Sequence, residues 1–406
     1  MIKMYENNEF IKNFHEITSI GYNANTGVNR LALNVYDIAA RKLLVKELNS
    51  INAGVIYDDG GTIFGSLGDS HEESIFIGSH MDSVPNGGRF DGMYGVVSAL
   101  NVLKRLQREG KISKKITAVD FTNEEGARFQ PSLLGSGLTT EVFTKEFVYS
   151  RSDDDGITFE EALKKSGFMG LESNRAKRLK PNKYLELHIE QGPVLEHEGY
   201  QIGIPIGIVT MVVDEYEFIG ESNQAGPTPM QMRRDALVSA SRFITEVRDM
   251  AKKNGNGLVM TVGKIKNYPN SYNVIPGSVL LNLDTRSPDK KTALEYSKIA
   301  SEMADKIAME EGTEVRHKNL WITETTIFNE ELKNTIEKIC KNLDLKYKYI
   351  YSWPGHDAQY MNRITDTAMI MVPSHNGRSH TKEEFTSDED LINGFNVLYK
   401  TALSLM

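Results

Sequence analysis

Residues 74–126 read SIFIGSHMDSVPNGGRFDGMYGVVSALNVLKRLQREGKISKKITAVDFTNEEG. Ser74–Ser79 is a short apolar run of the kind that forms a buried strand, and Ile116–Phe121 is a second. Between them the apolar positions from Tyr94 to Arg108 predict a helix. Strand, helix, strand with a crossover of that length is the parallel βαβ unit. The chemistry-bearing residues sit at its strand ends. His80 and Asp82 follow the first strand, Gly87-Gly88-Arg89-Phe90-Asp91-Gly92 leads into the helix, and Asn123-Glu124-Glu125-Gly126 follows the second strand.

Outward from this unit the same alternation continues. Leu33 to Asn49 repeats apolar residues at helical spacing, and two β-like runs, Gly54–Tyr57 and Thr62–Leu67, flank the turn Asp58-Asp59-Gly60-Gly61. Tyr184–Ile189 predicts another strand of the same sheet. From about residue 209 to 314 the texture changes to strand, helix, strand, strand, helix, which is enough for a separate α/β sandwich. Tyr347–Tyr351, Ala368–Val372 and a helix over Asp388–Leu405 then return to the first domain. The expected organisation is therefore α/β: a mainly parallel-sheet domain from residues 1–208 and 315–406, with a second domain, 209–314, inserted into it.

Composition narrows the class. The chain has 406 residues, 40% hydrophobic and 25% charged, which is an ordinary globular balance and not a disordered one. Lys plus Arg is 47 against 55 Asp plus Glu, a net charge of −8, which argues against nucleic acid or an anionic membrane as the main partner. The single cysteine, Cys340, excludes an internal disulfide and a thiolate metal site. Residues 1–20 carry no apolar core long enough for a signal peptide, and no stretch approaches the length of a membrane span. A cytoplasmic enzyme is the expectation.

Two further segments join the constellation: Glu186-Leu187-His188-Ile189-Glu190-Gln191-Gly192 and Gly377-Arg378-Ser379-His380. In a parallel sheet the carboxyl ends of the strands open into one crevice, so these residues converge there. Imidazole and carboxylate without thiolate suit hydrolytic Zn²⁺, Mn²⁺, Co²⁺ or Ni²⁺ centres. A pair of such ions about 3.5–4 Å apart needs a bridging carboxylate, and Asp91 in its glycine-rich loop suits that role. His80 and Asp82, at i and i+2, share one side of an extended backbone, so Asp82 is placed to hold the second imidazole nitrogen. Of Glu124 and Glu125, one can ligate a metal while the other acts as general base on a water that the metal has acidified. Singly, each histidine is better explained by a structural hydrogen bond; together at strand ends with Asp91 and Glu125 they point to metal.

The motifs His80-x-Asp82, Gly-Gly-x-Phe-Asp91-Gly, Asn-Glu124-Glu125-Gly and Ser-His380 resemble those of dinuclear metallohydrolases related to aminoacylases and metallocarboxypeptidases. The segment from Glu186 to Pro193 is similar to the amidase/carbamoylase branch: N-carbamoyl-L-amino-acid hydrolases, allantoate amidohydrolases and β-ureidopropionases. The resemblance implies that His80, His188 and Asp91 bind one divalent ion and Asp91, Glu125 and His380 a second. It also implies that Asp82 supports His80 and that Glu124 is the catalytic base. It places Asn273 and Arg286 on the substrate carboxylate, and Gln191, Gly355 and His356 in the pocket. It makes the inserted domain a lid and a homodimerisation surface, whose closure brings Asn273 and Arg286 to the metals. The implied substrate is a small ureido or amide compound bearing a carboxylate.

Departures from the pattern carry their own expectations. Gln224, in Asn223-Gln224-Ala225-Gly226, stands where the family has a histidine that polarises the scissile carbonyl across a dimer interface. Glutamine can donate a hydrogen bond but cannot carry a proton, so weakened hydrolysis or a shifted substrate is expected. Trp353 is bulkier than the residue expected there, and Gly135-Ser136-Gly137-Leu138 lacks an arginine that relatives often show. These departures keep a metal-retaining binding protein in view beside the hydrolase. A dipeptidase or aminoacylase on the same scaffold is disfavoured by the His188 to Gly192 segment. Local readings remain open for Arg286 as an ion pair with Asp284 or Asp289, Asn273 as a turn residue, Gln224 as a surface residue, and His356-Asp357 as a helix cap.

Overall fold

The computed structural model describes residues 2–69, 74–255 and 257–406. The chain forms two compact units, Met1–Ile206 with Ile327–Met406, and Gly207–Thr326.

The first unit is built on a nine-stranded sheet: β1 (Gly54–Tyr57), β2 (Ile63–Leu67), β3 (Ser74–His80), β4 (Lys115–Phe121), β5 (Lys183–Ile189), β6 (Ile202–Ile208), β7 (Thr326–Ile327), β8 (Tyr347–Ser352) and β9 (Asp366–Val372). Their order is β7-β6-β9-β5-β3-β4-β2-β1, with β8 beside β6. The four central strands β9, β5, β3 and β4 pair in parallel. On the flanks β2 pairs antiparallel with both β4 and β1, and β6 meets β9 antiparallel. The expected mainly parallel sheet is thus parallel at its centre and mixed as a whole. The turn between β1 and β2 is too short for anything but an antiparallel return.

Alternate residues of the central strands (Ile75, Ile77, Ile116, Ala118, Leu185, Leu187) share a core with the helices Met93–Arg108, Ile2–Thr18 and Asp388–Leu405. Phe10 of the N-terminal helix stacks on Phe395 of the last one at 4.3 Å between ring centroids. The helix Met93–Arg108 starts at Gly92, whose φ of +64° and whose missing Cβ both matter: a Cβ there would lie 2.3 Å from the His80 ring.

The second unit is a four-stranded antiparallel sheet in the order Val259–Tyr268, Ser278–Ser287, Thr210–Ile219, Glu314–Thr323. The helices Ala236–Asn254 and Lys290–Glu311 cover the face formed by Tyr216, Phe218, Val279, Leu281 and Leu283. The strand Ser278–Ser287 alternates strictly between buried and part-exposed positions, so Asp284 and Arg286 lie on the side opposite those apolar residues. The expected return at residue 315 is corrected to 327. Residues 314–323 are the fourth strand of this sheet, paired along Thr210–Ile219, and do not begin the return. Among the described residues, no helix is long and apolar enough to cross a membrane.

Candidate metal centre

Each of the four parallel strands delivers one part of the site at or beyond its carboxyl end. β3 ends on His80, β5 carries His188, β4 leads to Glu124 and Glu125, and β9 leads through a loop to Ser379 and His380. Asp91 comes from the glycine-rich segment before the helix Met93–Arg108. His80, Asp82, Asp91, Glu124 and His188 are all at most 7% exposed.

Asp91 stands at the centre. Its Oδ1 lies 3.1 Å from His188 Nε2 and 3.5 Å from His80 Nε2. Its Oδ2 lies 3.2 Å from His380 Nε2, which in turn is 3.4 Å from Glu125 Oε2. His80 with Asp91 and His188, and Asp91 with Glu125 and His380, are thus two groups of ligand atoms that share one carboxylate. The outer nitrogens are occupied by the backbone: His80 Nδ1 is 3.0 Å from the Asp82 carbonyl, and His188 Nδ1 is 2.9 Å from the Ile189 carbonyl. Each contact orients its ring so that Nε2 faces Asp91. These residues fit divalent cations: three imidazole Nε2 atoms and two carboxylates converge, and the hard–borderline donor set contains no thiolate.

Asp82 serves the site differently from the sequence expectation. Its carbonyl, not its carboxylate, bonds His80; the carboxylate is 3.8 Å from Nδ1. Its two oxygens instead accept the backbone amides of Glu124 (3.0 Å) and Glu125 (3.2 Å). The i+2 side chain turns across to the neighbouring strand end because two unpaired amides are there to be satisfied. Glu124 Oε2 then lies 3.5 Å from His80 Nε2, so the two adjacent glutamates serve opposite sides of Asp91.

Charges are strongly perturbed. Burial works against the protonated form of His80, yet Glu124, Asp91 and Asp82 outweigh it and hold its pKa well above the ordinary value. Burial likewise opposes ionisation of Asp91, but hydrogen bonds from His188, His380 and His80 bring it well below the carboxylate range. Burial, reinforced by Asp91, pushes Glu125 up to about 8; burial and neighbouring acids push Glu124 well up. The hydrogen bond to Asp91 raises His380 to about 9. Acids and imidazoles shifted upward in one cluster mark a place that takes up positive charge.

The remaining expected residues divide by unit. Gln191 Nε2 donates to Asp91 Oδ2 at 2.7 Å, while its Oε1 is buried with no partner among the described residues. His356 is buried with its ring centroid 4.4 Å from that of His188, beside half-buried Gly355. Burial and the neighbouring His188 keep His356 well below the usual imidazole range. In the second unit Gln224 and Asn273 are brought side by side by backbone pairing: Gln224 bridges Val274, and the Ala225 amide donates to the Asn273 carbonyl. Both side chains are exposed. Arg286 faces Asp284, with Nη2 2.7 Å from Oδ2 and Nε 3.0 Å from Oδ1, so the ion pair weighed for it is formed.

Sequence reasoning assigned no role to Glu186 or Glu384. Glu186 accepts bonds from Ser79, Tyr184 and the Ala358 amide, and so ties β5 to the turn that carries His356. Glu384 accepts from the loops on both sides of Asp91. A carboxylate buried among distant backbone amides leaves no local periodicity by which to find it.

A carboxylate shared by two imidazole-and-acid groups at the mouth of a parallel sheet defines the class as a metal-dependent hydrolase. The comparisons agree, and the chain belongs to peptidase family M20/M25/M40, whose model matches residues 76–404. It is 34% identical over 392 residues to an N-carbamoyl-L-amino-acid amidohydrolase of Rhizobium meliloti, covering 96% of this chain and 94% of that one. It is 33% identical over 397 residues to an allantoate amidohydrolase of Bacillus subtilis (strain 168), covering 95% of each. A solved amidase of the hydantoinase/carbamoylase family from Burkholderia multivorans superposes with a TM-score of 0.89 at 34% identity, covering 98% of this chain and 97% of that one. The protein is a hydrolase of carbon–nitrogen bonds other than peptide bonds.

Proposed function

We propose that the protein hydrolyses N-carbamoyl-L-amino acids, using two divalent cations held by His80, His188 and Asp91 and by Asp91, Glu125 and His380. The observation that carries the reading is Asp91, whose two oxygens face separate ligand groups. When bound, the cations supply polarisation of the carbamoyl carbonyl and acidify the attacking water. Glu124, buried beside His80, takes the proton of that water and returns it to the leaving nitrogen. Asp82 holds the Glu124 and Glu125 amides, and Gln191 holds Asp91 from the other side. The products are the amino acid, ammonia and carbon dioxide.

For the substrate carboxylate we assign Arg286 and Asn273, with Gly355 and His356 lining the pocket. A guanidinium can bind a carboxylate through two hydrogen bonds. Gln224 would donate to the carbonyl oxygen as a neutral group. Zn²⁺, Mn²⁺, Co²⁺ and Ni²⁺ all accept this ligand set. A cytoplasmic setting is supported by the lone, buried thiol of Cys340. A homodimer through the second unit is supported by exposed Met230, Met232 and Val238; sedimentation showing a monomer at micromolar concentration would refute it.

The test is ammonia release from N-carbamoyl-L-amino acids, allantoate and 3-ureidopropionate after reconstitution with Mn²⁺ or Zn²⁺. Fastest turnover of a carbamoyl amino acid is expected. Turnover of allantoate alone would move the assignment to the second reading, which the Bacillus subtilis relative favours.

A further inference from the structure

Glu384 lies four residues beyond His380 and is 4% exposed. Its Oε1 accepts the backbone amides of Phe90 at 2.9 Å and Asp91 at 3.1 Å. Its Oε2 accepts from Ser379 Oγ at 2.8 Å and lies 3.4 Å from the His380 amide. One carboxylate therefore fastens the segment that carries Asp91 to the segment that carries His380.

Gly88 is shaped to receive that carboxylate. A Cβ on Gly88 would lie 1.9 Å from Glu384 Oε1 and 2.4 Å from its Cβ, and the three nearest atoms it would meet all belong to Glu384. His380 needs such a tie. Its side chain is 49% exposed and its backbone sits at φ +58°, so surrounding packing does little to locate it.

We propose that Glu384 is a positioning residue that sets the approach of His380 to Asp91, and thereby the affinity of the Asp91–Glu125–His380 group for its cation. The inference rests on the two-ion reading above. The experiment titrates Mn²⁺ into chelator-treated full-length protein by calorimetry, with bound metal counted independently. Glu384→Ala is expected to weaken one of the two ions about 10- to 100-fold and to leave the other unchanged. His380→Ala identifies the affected ion, since it should remove the same one. Glu384→Gln should be intermediate: its carbonyl oxygen still accepts the Phe90 and Asp91 amides, but its amide nitrogen cannot accept from the His380 N–H. Gly88→Ala should reproduce the defect with Glu384 intact, which covers the case in which Glu384→Ala does not fold.

A merely structural role would weaken both ions together and would not be relieved by glutamine. That result, or unchanged affinities in every variant, overturns the proposal while the two-ion reading stands. Wild-type protein that binds fewer than two ions overturns the two-ion reading and this inference with it.

Discussion

Glu124 and Glu125 are neighbours in the chain, yet their carboxylates reach opposite sides of Asp91, 3.5 Å from His80 and 3.4 Å from His380 respectively. The division follows from Asp82, which accepts both backbone amides and so fixes the turn from which the two side chains diverge. Glu124→Gln is expected to leave bound metal at the wild-type level and to lower kcat by about 100- to 10,000-fold; full turnover in that variant would remove Glu124 from the mechanism. Arg286→Ala should raise KM for carbamoyl amino acids about 10- to 100-fold with a smaller change in kcat, and an unchanged KM would return Arg286 to a purely structural pair with Asp284. Gln224→His should raise turnover of a carbamoyl substrate, by up to about 100-fold if a missing proton carrier limits the wild type; no gain on any such substrate counts against the role. The proposed ligands could be singled out from short motifs such as Gly-Gly-x-Phe-Asp91-Gly and Asn-Glu124-Glu125-Gly, which are read without the fold. The use of the Asp82 carboxylate was not legible in this way, because it depends on where the neighbouring strand finishes.

The turn between β1 and β2 shows how an element can store a pH dependence. Asp58 is fully buried there and its Oδ1 accepts the amides of Gly60 and Thr62, both at 2.9 Å. Burial nevertheless lifts its pKa to about 6 against those bonds. Unfolded aspartate ionises near 4, so from about pH 4 to 6 the folded state holds the extra proton and stability declines as pH rises. Asp58→Asn keeps an oxygen acceptor for the turn and lacks the ionisation. The stability difference, variant minus wild type, should therefore rise by about 2–3 kcal/mol between pH 4 and 7 and then level off, as read by urea unfolding. A difference independent of pH would show that folding does not shift the Asp58 ionisation. Elements with strong apolar periodicity, such as β3, β4 and the helix Met93–Arg108, were readable from sequence. Glu314–Thr323 was not: it is an edge strand exposed along most of its length, so its polar residues show no alternation. The helix Glu330–Asn342 and strand β6 also went unread.

At the scale of the molecule, all five proposed ligands belong to the first unit, drawn from segments as far apart as residues 80 and 380. Bound cations stabilise only the state that assembles them, by about 2.7 kcal/mol for a site at one hundred times its dissociation constant. Chelation should therefore lower the melting temperature and raise amide exchange in residues 87–92 and 374–384, while the helix Ala236–Asn254 of the second unit keeps its protection. Equal loosening in both units would show that the ions do not sit where the ligands converge. The chain's own order of residues determined the βαβ rhythm and the family, because these follow from local periodicity and from short motifs. Only the folded arrangement decided that Asp82 holds the glutamate turn, that Glu384 ties His380 to Asp91, and that the insertion runs on to residue 326. Those are contacts between segments far apart in sequence, and their partners exist only once the sheet has brought the strand ends together.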